Sequence, residues 1–178
     1  MRAFVIAAVF AVGVGACGGR LMSSGLDEPA VAGQVSASPP SLVGAWRVVR
    51  FCRVDSAGRE SHPFGERPTG VFVYHSTGQL SLHAMRTPAV PPYRAGDDEP
   101  TDIEGRAMLD SYFGYFGTYS ITSDSTVTHH VVGGTIPSYI GTDQRRHYRI
   151  RRGGAGQPDT LSIGSYPAPS CRKLLRVG

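Results

Sequence analysis

The sequence predicts an all-β fold: an eight-stranded antiparallel up-and-down barrel with one α-helix between the third and fourth strands. Three observations carry that expectation. From Ser41 onward, short runs rich in Val, Ile, Tyr, Phe and Thr alternate with turn signals, as strands joined by tight connections do. One capping box, Thr101-Asp102-Ile103-Glu104, interrupts them; its threonine can accept from the third helical N–H while its glutamate reaches back. Finally, eight strands in a chain of 178 residues leave no open edge if they close on themselves.

The elements follow in chain order. Met1 to Cys17 (MRAFVIAAVFAVGVGAC) has one positive charge, an apolar run from Ala3 to Gly15, and small residues before a cysteine, the layout of an export signal. That run is shorter than the ~20 apolar residues a membrane-spanning helix needs. Val14-Gly15-Ala16-Cys17 resembles a bacterial lipobox, so Cys17 is the expected lipid anchor of a cell-envelope lipoprotein, on the periplasmic face or at the outer membrane. Gly18 to Pro40 is rich in Gly, Ser, Ala and Pro without an apolar period and reads as a flexible tether. Residues 41–178 are then the barrel domain. Without the leader the chain has 17 basic against 14 acidic residues, a formal +3 where the whole chain has +4, too small an excess to demand a polyanionic partner.

The strands expected are Leu42–Val54, Thr69–His75, Gln79–Met85, Gly117–Thr122, Thr126–Thr135, Gln144–Arg152, Thr160–Ser165 and Cys171–Val177. Ser76-Thr77-Gly78 has the length and glycine of a hairpin turn. Thr87–Pro100, rich in proline and acids, is a loop at the barrel rim. After the capping box, Ile103, Ala107, Met108, Tyr112, Tyr115 and Phe116 recur at helical spacing, predicting a helix of about four turns. Cys52 and Cys171 fall near the two ends of the folded part. A bridge between them and two unpaired buried thiols are both compatible with the sequence, because strand parity is not fixed there.

Several blocks carry a family resemblance. Leu42-Val43-Gly44-Ala45-Trp46 resembles the Gly-x-Trp opening of lipocalins, where the tryptophan closes the bottom of the barrel. Tyr115-Phe116-Gly117-Thr118-Tyr119, Val127-Thr128-His129-His130-Val131 and Gly141-Thr142-Asp143-Gln144 resemble the bacterial and fungal lipocalin-like domain family over about Ser41 to Val177. The resemblance implies a ligand-binding barrel with Trp46 as its closing residue; for some family members isomerase or cyclase roles have been suggested. The second and third signature blocks of the vertebrate lipocalins are not evident, so retinoid transport is not implied. Arg176 or Arg172 matches by position the basic residue that covers the tryptophan in those proteins.

The stretch from Thr128 to Ile150 brings together histidines and arginines. Neighbouring strand residues point to opposite faces, so His129 and His130 cannot serve one ion together, and no metal site is expected. His129 shares parity with Val127 and Val131 and points inward; His130 goes outward with Thr128 and Val132. On the next strand Arg145, His147, Arg149 and Arg151 share a solvated face, while Gln144, Arg146, Tyr148 and Ile150 face the interior. An interior guanidinium is costly unless paired with a carboxylate, a hydrogen-bonding network or an anionic ligand. Tyr74 and Phe72, Tyr119 and Ile121, and Tyr112 leaning over one end from the helix complete the candidate cavity. The expected ligand-binding set is therefore Tyr74, Tyr112, Tyr119, His129, Gln144, Arg146 and Tyr148.

Three functions compete. The first is a membrane-tethered module binding a small hydrophobic or amphipathic molecule, anionic or neutral, oriented by Arg146 and His129. The second is a cofactor-free isomerase or cyclase with His129 exchanging a proton, and the third a packed domain whose rim binds an envelope protein. No cofactor and no nucleic-acid partner are expected, since aromatic residues do not alternate with the arginines as stacking would require. Gly-x-Ser-x-Gly, a phosphate loop and a dinucleotide fingerprint are absent, which lowers hydrolase, nucleotide and redox roles.

Overall fold

A computed structural model describes residues 41–165 and 171–178; the expected leader, Cys17 and the tether lie outside them. The chain order is β1 (Gly44–Arg50), β2 (Arg53–Val54), β3 (Glu60–Ser61), β4 (Thr69–Tyr74), β5 (Gln79–Met85), α1 (Asp102–Ser111), β6 (Tyr112–Ser123), β7 (Thr126–Gly134), a short 3-10 turn at Pro137–Tyr139, β8 (Asp143–Arg151), β9 (Thr160–Ser165) and β10 (Arg172–Arg176). Eight strands close into a barrel in the order β1-β10-β9-β8-β7-β6-β5-β4, all neighbours antiparallel. β2 and β3 form a separate two-stranded ribbon, so the long first strand expected from the sequence is broken after Arg50. No described helix is long and apolar enough to cross a membrane.

Alternation puts every second side chain inside. Leu80, Leu82 and Ala84 of β5 are buried, as are Phe72 and Tyr74 of β4 and Val127, His129 and Val131 of β7. The connection between β4 and β5 is tight: the Gly78 N–H donates to the His75 carbonyl and Gly78 holds φ +86°, a conformation glycine reaches without steric cost. Gly70 serves closeness instead, since a Cβ there would stand 2.1 Å from the His83 carbonyl oxygen.

The helix departs from the sequence reading. Its capping box is present, with Thr101 accepting from the Glu104 N–H, but it ends at Ser111 after 10 residues. Tyr112, Tyr115 and Phe116 belong to β6, and the fourth barrel strand begins at Tyr112 rather than Gly117. Two patterns overlapped here: Tyr112, Tyr115 and Phe116 fit an i, i+3/i+4 helical face, while Phe113 and Tyr115 fit the alternation of a strand. Gly114 and Gly117 weaken a helix and the aromatic residues favour a strand, so alternation wins, with Phe113 and Tyr115 buried. The apolar helical face is not covered either: Ile103 is 82% exposed.

The two barrel ends differ. At one, Trp46 is buried, donates its indole N–H to the Leu42 carbonyl at 2.9 Å, and lies under Arg176, whose guanidinium carbon is 4.1 Å from the ring centre. Arg176 also donates to Asp159, Val43 and Ser41. Of the two arginines weighed for covering the tryptophan, Arg176 is the one that does. At the other end Phe51, Phe64 and Phe113 pack together and Cys52 is bonded to Cys171, with a Cα separation of 5.7 Å. The bond ties the chain just after β1 to the chain just before β10.

Candidate functional site

The interior polar groups form one chain. His129 is 0% exposed; its Nε2 meets the Tyr74 hydroxyl at 3.0 Å and its Nδ1 the Tyr115 hydroxyl at 2.7 Å. Burial, and then the positive charges of Arg146 and Arg172, hold its pKa down at about 3, so the ring is neutral. A neutral imidazole donates from one nitrogen and accepts at the other; one tyrosine therefore donates to it and the other accepts. Burial likewise raises both tyrosine hydroxyls, against the pull of the two arginines.

Arg146 lies beside this group and is 5% exposed. Its Nη1 donates to its neighbour's carbonyl and its Nη2 to Gln144 Oε1 at 3.3 Å, while Nε has no hydrogen-bond partner. Among the described residues no carboxylate lies within ion-pair distance of Arg146. Its guanidinium stands 5.6 Å from the Tyr139 ring centre. Tyr139, held by the 3-10 turn that Pro137 opens, lines a pocket of about 250 Å³ at the disulfide end, together with Arg53, Val54, Ser165, Arg172 and the Cys52–Cys171 bridge. Arg172 faces Phe51 at 4.5 Å; burial, then the nearby Arg146, lower its pKa. Arg53 and Arg172 thus line this pocket, and the Arg146 guanidinium meets Tyr139, one of its walls.

The predicted residues distribute unevenly. Tyr74 and His129 touch each other, Gln144 touches Arg146, and the Tyr119 ring packs edge-on against Tyr74 at 5.1 Å, its hydroxyl donating to the His75 carbonyl. Tyr112 is a correction: it lies on the outer face, its hydroxyl 2.5 Å from His83 Nδ1, because it is the first residue of β6 and opposite in parity to Phe113 and Tyr115. Tyr148 sits apart, lining a groove of about 640 Å³ with Leu42 and Ile121 at the Trp46 end. Tyr115, Tyr139 and Arg53 were missed. Alternation with Phe113 was the available signal for Tyr115; Tyr139 is in a bend, where parity says nothing. Cys52, Glu60 and Cys171 bring three ligand-type atoms within 4.8 Å of one another, but both sulfurs are joined to each other and offer no thiolate.

A closed eight-stranded up-and-down barrel, sealed at one end by a tryptophan under an arginine and pocketed at the other, defines a class of small-molecule-binding β-barrels. The lipocalin-like domain description matches residues 43–166; the chain belongs to that family. No curated protein matches it.

Proposed function

We propose that this protein binds a small amphipathic anion at the disulfide end of the barrel, its acidic group facing Arg172, Arg53 and the buried Arg146. One observation carries the reading: Arg146 is enclosed, has an orphaned Nε, and has no described carboxylate in range. A buried charge costs several kcal/mol after relaxation, and an anionic ligand offsets that cost. A pocket of about 250 Å³ suits a ligand near the small end of the usual range. The enclosure of His129 between two tyrosines, with both nitrogens engaged, supports an organising role for that residue over proton exchange.

The leader, the lipid anchor on Cys17 and the envelope location are part of the same proposal. The Cys52–Cys171 bond supports an oxidising compartment.

The test is a calorimetric titration of the full chain with 2-naphthoate and with the matching neutral carboxamide. The carboxylate is expected to bind at least about 10-fold more tightly, a difference of about 1.4 kcal/mol, and Arg146→Met and Arg172→Met each to erase most of that preference. Arg146→Met should leave folding stability unchanged or raise it, because replacing a buried charge by an apolar side chain is often neutral or stabilising. Equal affinity for acid and amide would defeat the reading.

A further inference from the structure

Beyond the barrel interior, the outer face of β6, β7 and β8 carries a second constellation. The Ser120 hydroxyl lies 3.0 Å from His130 Nε2, and His130 Nδ1 lies 2.6 Å from Asp143 Oδ1. The three residues come from three adjacent strands, brought together by the pairings Thr118 with His130 and His130 with Asp143. We propose that Ser120, His130 and Asp143 form a surface acyl-transfer site that hydrolyses small carboxylic esters.

In the neutral ring the hydrogen-bond geometry leaves one tautomer. A carboxylate only accepts, so Nδ1 carries the proton and donates to Asp143; Nε2 is left with its lone pair toward Ser120. That is the arrangement in which an imidazole takes a serine proton while a carboxylate steadies the resulting imidazolium. The group is reachable, with the His130 side chain 40% and the Asp143 side chain 65% exposed. Val132 and Phe116, both exposed, continue the same face toward the disulfide end and offer an apolar ledge for an acyl chain. Arg145 pairs with Thr128, which pairs with Ser120, so the register puts a cation on this face two strands from Ser120.

The chemistry balances without a further reagent. Ser120 Oγ bonds to the ester carbonyl carbon as its proton passes to His130 Nε2. Collapse breaks the carbon–oxygen bond to the alcohol, which leaves with that proton. Water then attacks the acyl-serine and gives a proton to His130, which passes it to Ser120 Oγ as the carbon–oxygen bond to serine breaks and the carboxylic acid is released.

A neighbouring cluster sharpens the assignment. Ser81 Oγ is 2.7 Å from His83 Nε2, and Tyr112 is the third member. Its third member is a tyrosine hydroxyl where the first cluster has a carboxylate, so it has no negative charge to steady an imidazolium, and Ser81 serves as the internal control.

The experiment uses the full chain, with 4-nitrophenyl acetate as substrate and a fluorophosphonate label located by peptide mass mapping. The label is expected on Ser120. Ser120→Ala and His130→Ala should each lower turnover above background at least about 100-fold and Asp143→Asn at least about 10-fold, while Ser81→Ala leaves it unchanged. Ser120→Ala is a small change at an exposed position, so circular dichroism should show the fold intact. Turnover that survives Ser120→Ala, a label found elsewhere, or no label and no turnover above background overturns the proposal.

Discussion

The buried His129 ring makes this barrel sensitive to mild acid. In the unfolded chain its pKa is near the ordinary ~6.5, whereas in the fold burial and the charges of Arg146 and Arg172 hold it at about 3. Between those values the unfolded chain binds a proton that the folded chain refuses. The stabilising contribution is therefore complete above pH 6.5 and falls as pH drops toward 3, by up to about 1.4 kcal/mol per unit. Urea unfolding of the native protein and of His129→Gln at pH 6.5 and 5.0 checks this. The variant is expected to be less stable at both pH values, because Tyr74 and Tyr115 lose a shared partner, but to lose about 1.5 kcal/mol less on acidification. Parallel losses would show that another group carries the pH dependence.

At the scale of elements, stability is expected to be uneven. Helix α1 is properly capped but buries only Ser111 and exposes Ile103 and Leu109, so its cap matters locally more than globally. Thr101→Ala should cost the helix about 1 kcal/mol. Hydrogen exchange should quicken across the first turn of α1 while the denaturation midpoint hardly moves; a large fall in the midpoint would mean that the helix is integral to the barrel. The same element marks the limit of sequence reading. The start of α1 was legible because a capping box is local chemistry. Its end was not, since Tyr112, Tyr115 and Phe116 fit a helical face while Phe113 and Tyr115 fit a strand, and only pairing with β5 and β7 separates the two. By contrast, the inward set on β8 was legible because a period of two survives any tertiary context that buries one face; Gln144 and Arg146 follow it and touch each other.

For the whole molecule, closure is the organising fact. The disulfide joins residues 119 apart in sequence, and a loop of that length confines the unfolded chain enough to stabilise the fold by about 2–5 kcal/mol. The double change Cys52→Ser with Cys171→Ser should lower unfolding free energy by that amount and weaken carboxylate binding, because both sulfurs wall the pocket; a change below about 1 kcal/mol would mean that β1 and β10 hold the seam unaided. That pocket was only half visible in the sequence. Parity pointed to Arg146, but Tyr139 and Arg53 arrive from a bend and a short ribbon whose positions depend on the closed barrel. The central claim, that interior guanidiniums receive an anionic ligand, is tested most directly by following arginine Nε–Hε resonances in solution while 2-naphthoate is added to the full chain. Saturable shifts of Arg146 and Arg172, with the outer-face Arg149 and Arg151 unmoved, are the predicted result. Shifts confined to the outer arginines, or an Arg146 resonance unchanged at saturation, would contradict it.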